Sequence, residues 1–403
     1  SMRTFFLFFL VLLVLSPTVR AQGAADGPQK EFYDDGQLHR ERVYAGGQLN
    51  GPFREYYPDG RLLSVGTYRN DRLEGGYKSY YENGNLFIER TYVNGAQHGV
   101  SREFFETGDP KSVETYRYDV LDGPAKYFYD DGTLKYAMEF RNGQLNGESR
   151  EYGEDGILVG IVNYKDNEVN GETKEFLPNG TLYASWAYRN GVKEGASQVF
   201  YDNGRKEWEL TFKDGEITGP GRKFFRNGKV ALEADYLNNQ YHGTVREFLE
   251  NGRMKSECSY QEGQRHGPCR EYRPNGKLWL EWTYDKGQKQ GVAREYREDG
   301  GLWMEVAYDQ GRQNGLMKEY YPNGRLKKQW NIVNGVQEGE ARSFYETGEV
   351  MSEEVYLDGK IEGDVRLYNK GGEIVYIDTY QQGKKLRRKG FDSRGKMDFE
   401  QEY

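Results

Sequence analysis

The chain has 403 residues, of which 36% are hydrophobic, 30% charged and 15% aromatic, with 52 glycines. So little aliphatic material diluted by so much glycine excludes a large helical or α/β core, and the density of aromatics excludes a disordered polar chain. A net charge of −8 over this length excludes nucleic acid as the main partner.

From the N-terminus, Arg3, the apolar run from Phe5 to Leu15 and the small residues Val19 and Ala21 follow the order of a secretory signal peptide cut after Ala21. The run is shorter than the roughly 20 residues that span a bilayer. Residues 1–21 are therefore expected to be removed. The mature chain is expected in the periplasm, at the cell surface or outside the cell.

Glycine then recurs every 24 residues in fifteen copies, through Gly36, Gly60, Gly84, Gly180, Gly252 and Gly324 to Gly372. With that glycine as position zero, a second glycine stands at plus fifteen, from Gly51 to Gly363. An aromatic stands at minus four from Phe32 to Tyr368, and Tyr or Phe at plus eight except for Ile332. Plus eleven holds Gly, or Asp71, Asp119, Asn167 or Asn239. Segments such as Pro58-Asp59-Gly60, Pro178-Asn179-Gly180 and Pro322-Asn323-Gly324 carry turn chemistry, because Gly and Asn accept the positive φ other residues resist. Two turns per repeat leave two strands of about seven residues, a common strand length. No apolar period of 3.6 residues survives, which removes helix. The expected fold is all-β: an elongated antiparallel meander of about fifteen hairpins over residues 22–383. Residues 384–403 lose the pattern. Their basic run, Lys384, Lys385, Arg387, Arg388 and Lys389, reads as a charged cap over an open sheet edge or as an anion-binding patch.

Two registers are open. If both turns hold two residues, Tyr68 lies between Gly51 and Gly75, its ring covering bare backbone. Lys78 then faces Glu89, Arg246 Glu257, Arg270 Glu281 and Arg294 Glu305, a solvated ladder of opposite charges. A three-residue turn with a bulge instead pairs the minus-four aromatic with the Leu at plus two. The first register is the working expectation. It sets the only two cysteines, Cys258 and Cys269, directly opposite, where an exported protein forms a disulfide. Cys258 is otherwise a small apolar filler, as Val162 and Val306 are at the same position.

The segments Tyr56-Tyr57-Pro58-Asp59-Gly60-Arg61-Leu62, Tyr320-Tyr321-Pro322-Asn323-Gly324-Arg325-Leu326-Lys327 and Tyr92-Val93-Asn94-Gly95-Ala96-Gln97-His98-Gly99 resemble the MORN-repeat variant of bacterial proteins of the YwqK antitoxin type. The resemblance runs from about residue 26 to 383. It implies a twisted, curved sheet of stacked hairpins. It also implies a role as scaffold, dimerisation module, lipid-binding surface or antitoxin.

No chemical site is expected. His98, His242 and His266 share position plus fourteen, and His242 and His266 would stand two strands, about 10 Å, apart, too far to share a metal. His39 stands alone. Carboxylates recur equally in every unit, whereas an active site singles one out. Neither a catalytic residue, a cofactor nor a metal is expected. What varies is tryptophan: Trp186, Trp208, Trp279, Trp282, Trp303 and Trp330 all stand from residue 186 onward. Bulky variable residues on an invariant frame mark an interaction surface, or fill a locally thicker core. The expected function is that of an exported, non-enzymatic scaffold binding another protein. Its alternatives are a toxin-neutralising partner, and a binder of glycans or lipid headgroups at a membrane surface through Tyr and Trp rows.

Overall fold

The structure is a computed structural model and describes residues 25–403; the expected signal peptide lies outside the described residues. These residues hold 44 strands, all paired antiparallel, and no helix. They divide into two compact units, one ending at Leu158 and one beginning at Val159, each built from the same hairpin. The strands outnumber those read from the sequence because one leg of most hairpins is interrupted.

The repeat around Gly60 shows how. The Gly60 amide donates to the Tyr57 carbonyl at 2.8 Å, and the Tyr57 amide to the Arg61 carbonyl at 2.8 Å. Gly60 has a φ of 87°, and Asp59 Oδ1 accepts the Arg61 amide at 2.9 Å. This is a three-residue turn, and it pairs Tyr56 with Leu62. The register then slips by one, leaving Leu63 unpaired, and continues as Glu55 with Ser64, Phe53 with Gly66 and Gly51 with Tyr68. Each sequence register therefore holds over part of the hairpin: the bulged one at the turn, the working expectation along the strand body. The body register opposes Lys78 to Glu89, Arg246 to Glu257, Arg270 to Glu281 and Arg294 to Glu305.

The second turn corrects the expectation for Tyr68. Asn70 and Asp71 have φ of 49° and 63°, the two left-handed residues of a tight hairpin turn. Tyr68 then pairs with Leu73 rather than Gly75. Gly75, with a φ of 78°, lies in a bulge before pairing resumes at Val65 with Lys78. Glycine at plus fifteen serves that bulge and its twist, not the covering of a ring. Rings do cover a glycine elsewhere: a Cβ on Gly66 would stand 2.8 Å from the Phe53 ring and 3.4 Å from that of Tyr77.

Positions plus four, plus six and plus eight share one face with minus five and minus seven. There Phe53, Ser64, Thr173, Ala184, Cys269 and Met317 are buried to 4% exposure or less. The opposite face carries the charge ladder. Arg246–Glu257 at 2.6 Å, Arg270–Glu281 at 3.3 Å and Arg294–Glu305 at 3.2 Å are partly exposed pairs, each worth a fraction of ~1 kcal/mol.

Turns bind to turns. The Tyr57 hydroxyl donates to the Tyr80 carbonyl one repeat on at 2.6 Å, and Tyr81, Tyr201, Tyr321 and Tyr345 do the same to Phe104, Phe224, Phe344 and Tyr368. In two of the units that lack the tyrosine, Arg273 and Arg297 donate to the carbonyls of Tyr296 and Tyr320. At the second turn the Asp71 amide donates back to the Leu49 carbonyl at 2.9 Å, and Asp71 Oδ1 accepts the Leu49 amide at 2.7 Å. Asp119 and Asn239 accept in the same way from Gln97 and Ile217.

The C-terminal residues continue the pattern. Lys384–Phe391 and Met397–Glu402 form a last hairpin, so regular pairing does not stop at residue 383. The basic run is largely met from within: Arg388 and Lys385 pair with Asp378, and Arg387 and Lys389 with Glu400.

Candidate functional site: a tryptophan face

All six tryptophans project from the face that carries the buried row. Trp186 Nε1 donates to Glu175 at 3.1 Å, and Lys193 Nζ sits 3.4 Å from the Trp186 ring centroid. Lys193 occupies plus thirteen, where other repeats place Leu49, Leu73 and Ile217. Burial between Trp186 and Phe212 holds its ammonium below the usual lysine range, against the pull of Glu175. Lys223 lies over Trp208 at 5.1 Å and Lys328 over Trp330 at 5.8 Å. Arg273 lies over Trp279 at 5.1 Å, and Trp279 Nε1 donates to Glu295 at 3.2 Å. Arg297 lies over Trp303 at 6.0 Å. Trp282 differs: it is 8% exposed and packs on Cys258 and Cys269, with Lys289 at 4.5 Å, so it fills the core there.

A cation within reach of every indole is a feature the sequence did not reveal. The cations come from positions minus five, minus three, plus four and plus thirteen, so no single spacing betrays them. Each contact is worth about 0.5–1 kcal/mol at exposed sites and more when desolvated.

Cys258 and Cys269 stand directly opposite with Cα atoms 4.1 Å apart, joined by a disulfide and exposed by only 5% and 1%. Gly36, Gly60, Gly84, Gly180, Gly252 and Gly324 have φ between 81° and 91°, the turn geometry read from their neighbours. Among the described residues, no three His, Cys, Asp or Glu side chains cluster closely enough to hold a metal. His266 instead accepts the Lys286 amide at 3.4 Å beside its own turn.

The MORN repeat variant profile matches ten stretches, residues 25–45, 49–70, 73–94, 97–118, 121–142, 145–166, 241–262, 265–286, 313–334 and 337–358, together more than half of the chain. No curated protein matches the chain. Among solved structures, the chain is similar to crystal structures of TcdB2–TccC3 without the hypervariable C-terminal region and of TcdB2–TccC3–Cdc42, at 11% and 12% identity with TM-scores of 0.17 and 0.16. It is also similar to the Tc holotoxin pore of Photorhabdus luminescens with a TccC3 mutation, at 12% identity and a TM-score of 0.16. These alignments cover 93–94% of this chain and 23–24% of those chains, so it spans about a quarter of their length. Trp186, Trp208 and Trp303 lie in repeats between the matched stretches, on hairpins with the same turns and register. With ten matches on one 24-residue hairpin, the chain belongs to the MORN repeat variant family.

Proposed function

We propose that this protein is an exported, non-enzymatic scaffold that holds another protein against the tryptophan-bearing face of its second compact unit. The observation that carries this reading is the one-sided placement of half-buried Trp186, Trp208, Trp279, Trp303 and Trp330, each with a lysine or arginine over its ring, on a frame whose turn glycines keep one fixed spacing. Tryptophan and arginine are the side chains that dominate protein–protein contacts.

The titratable groups favour a scaffold over an enzyme. Burial and a neighbouring carboxylate push Tyr136, Tyr320 and Tyr356 each up to about 12, and these three belong to three separate repeats. Catalysis gathers perturbed groups at one place; these three stand at plus four, minus four and plus eight of their repeats. Export is supported by the signal-like order of residues 1–21 and by the Cys258–Cys269 pair, since disulfides persist in oxidising compartments.

The test is capture from an extract of the source cells with the full chain and with a Trp186→Ala, Trp303→Ala, Trp330→Ala variant. A protein retained by the parent and lost by the folded variant supports the reading. Equal retention by both removes the tryptophan face from it. Export is checked separately by N-terminal sequencing: a mature chain beginning at Gln22 is expected, and a chain that keeps residues 1–21 in the cytoplasm overturns that part.

A further inference from the structure

The first-turn rim of the second compact unit differs in charge from that of the first. In the first unit the turns display Asp34, Asp35, Glu82, Glu106, Asp130 and Asp131, with Arg61, which reaches forward to the Glu82 carbonyl, as the exception. In the four turns from Gly204 to Gly276, the rim carries Arg205, Arg226, Lys229, Arg253, Arg273 and Lys277 against Asp202 and Glu250. Arg226 is taken by Asp202 at 2.6 Å. Four of the others share position plus one and reach forward to a carbonyl of the next turn. Arg205 donates to Arg226 at 3.3 Å, Lys229 to Asn251 at 3.0 Å, Arg253 to Pro274 at 2.8 Å and Lys277 to Asp299 at 3.3 Å. A carbonyl fixes the direction of a cation without cancelling its charge. The result is an exposed row of positive charge, one per repeat.

A notch opens beside the same row. It has a volume of about 380 Å³ and is walled by Tyr201, Phe225, Ala231, Leu232 and Phe248. Its cause is legible in the repeat. Plus three holds a larger side chain in the other units, Leu63, Phe87, Tyr183, Trp279 and Trp303 among them, and here it holds Ala231. The next clamp is also missing, because Phe225 stands where Tyr201 carries a hydroxyl. Lys223 and Lys255 border the notch, Lys255 paired with Glu247 at 3.0 Å.

We propose that this rim binds an acidic linear oligosaccharide, one sugar ring seated in the notch against Tyr201 and Phe225 and its anionic groups meeting Arg205, Lys229 and Arg253. The inference goes beyond the protein-binding reading and uses other residues. Aromatic rings receive the C–H face of a pyranose, and the cation row supplies the counter-charge for carboxylates or sulfates. Spacing argues against an acidic peptide. Successive plus-one cations lie two strands, about 9.6 Å, apart, whereas same-face side chains of an extended peptide repeat every ~6.6 Å. A glycan that alternates acidic and neutral sugars presents one charge per disaccharide and meets a row of one cation per repeat.

Isothermal titration of the full chain at physiological ionic strength tests this with four probes. They are a hyaluronan hexasaccharide for carboxylates, a heparin hexasaccharide for sulfates, neutral cellohexaose and a poly-glutamate decapeptide. At least one acidic hexasaccharide is expected to bind. Its affinity should fall at least tenfold in Ala231→Trp, which fills the notch, and in the triple variant Arg205→Gln, Lys229→Gln, Arg253→Gln. Trp303→Ala should leave the sugar bound while weakening protein capture. If Ala231→Trp does not fold by circular dichroism, Ala231→Leu takes its place. Binding of neither acidic sugar overturns the proposal, as does sugar binding indifferent to both the notch and the row. Poly-glutamate bound equally tightly, and lost in the same variants, assigns the rim to an acidic protein segment instead.

Discussion

At Gly180 a side chain has room but not the right backbone. Its φ is +81°, and no atom lies within 4 Å of where a Cβ would stand. Gly180→Val should therefore cost about 1–3 kcal/mol through conformation alone, whereas Gly180→Asn, which tolerates left-handed backbone, should cost much less. Equal losses for the two in chemical denaturation would mean that sterics and not φ select glycine there. Cys258 and Cys269 make the opposite case, in which side-chain contact decides. Mass spectrometry of the unreduced protein should find one internal bond, and Cys258→Ser should cost about 2–3 kcal/mol. Two free thiols would return Cys258 to the role of apolar filler.

At the scale of the hairpin, the clamp from minus three to the following turn recurs along the chain. Each hydroxyl-to-carbonyl bond should contribute about 1 kcal/mol. Tyr57→Phe and Tyr345→Phe, which share no partner, should lose that much separately and twice that together, as melting curves of the two variants and the double would report. Full stability in both would mean that water replaces the hydroxyl at no cost. The last hairpin depends on a different device. Asp378 is 3% exposed; burial alone would raise its pKa, but two 2.7 Å bonds from Arg388 and one from Lys385 at 3.0 Å outweigh that and hold it below the usual aspartate value. A depressed carboxylate stabilises the fold above its unfolded pKa, and the gain fades as pH falls through the folded value. Stability should therefore drop below about pH 4. Asp378→Asn should start about 3 kcal/mol lower and show a flatter acid limb. An unchanged acid limb in the variant would remove Asp378 from the cap.

At the scale of the molecule, each repeat contacts mainly its neighbours, so stability is a sum of units and interfaces. A chain ending at Gly276 should keep strong β-type circular dichroism, and a collapse of the signal would reveal a long-range dependence the repeat does not predict. The all-β hairpin order was readable because Gly36 to Gly372 mark one turn of every unit at a fixed spacing. The pairing of Cys258 with Cys269 was readable because the body register alone fixes it. The bulge at Leu63 stood as one of two open registers, and the pairing of Tyr68 with Leu73 was not foreseen, since a slip of one or two residues in backbone hydrogen bonds leaves no mark in side-chain type. Tyr57 stood in the motif, but its acceptor is a main-chain carbonyl, which every residue offers. The notch at Ala231 escaped for a simpler reason: it is made by what is missing from the side chain.

Clamps that run from one turn to the next make the repeat a block that can be copied. Wherever the clamp is made, donor and acceptor sit at the same two places of the repeat, as the bonds from Tyr57 to the Tyr80 carbonyl and from Tyr321 to the Phe344 carbonyl illustrate. A duplicated or excised stretch of 24 residues, cut at equivalent points, presents each junction with the partner it already expects. Loss or gain of a single residue instead misaligns both turn contacts at once. Length in this protein therefore changes in whole steps of two strands, about 9.6 Å each, and recombination between repeats is a route by which a lineage can lengthen or shorten the molecule without redesigning any contact within it.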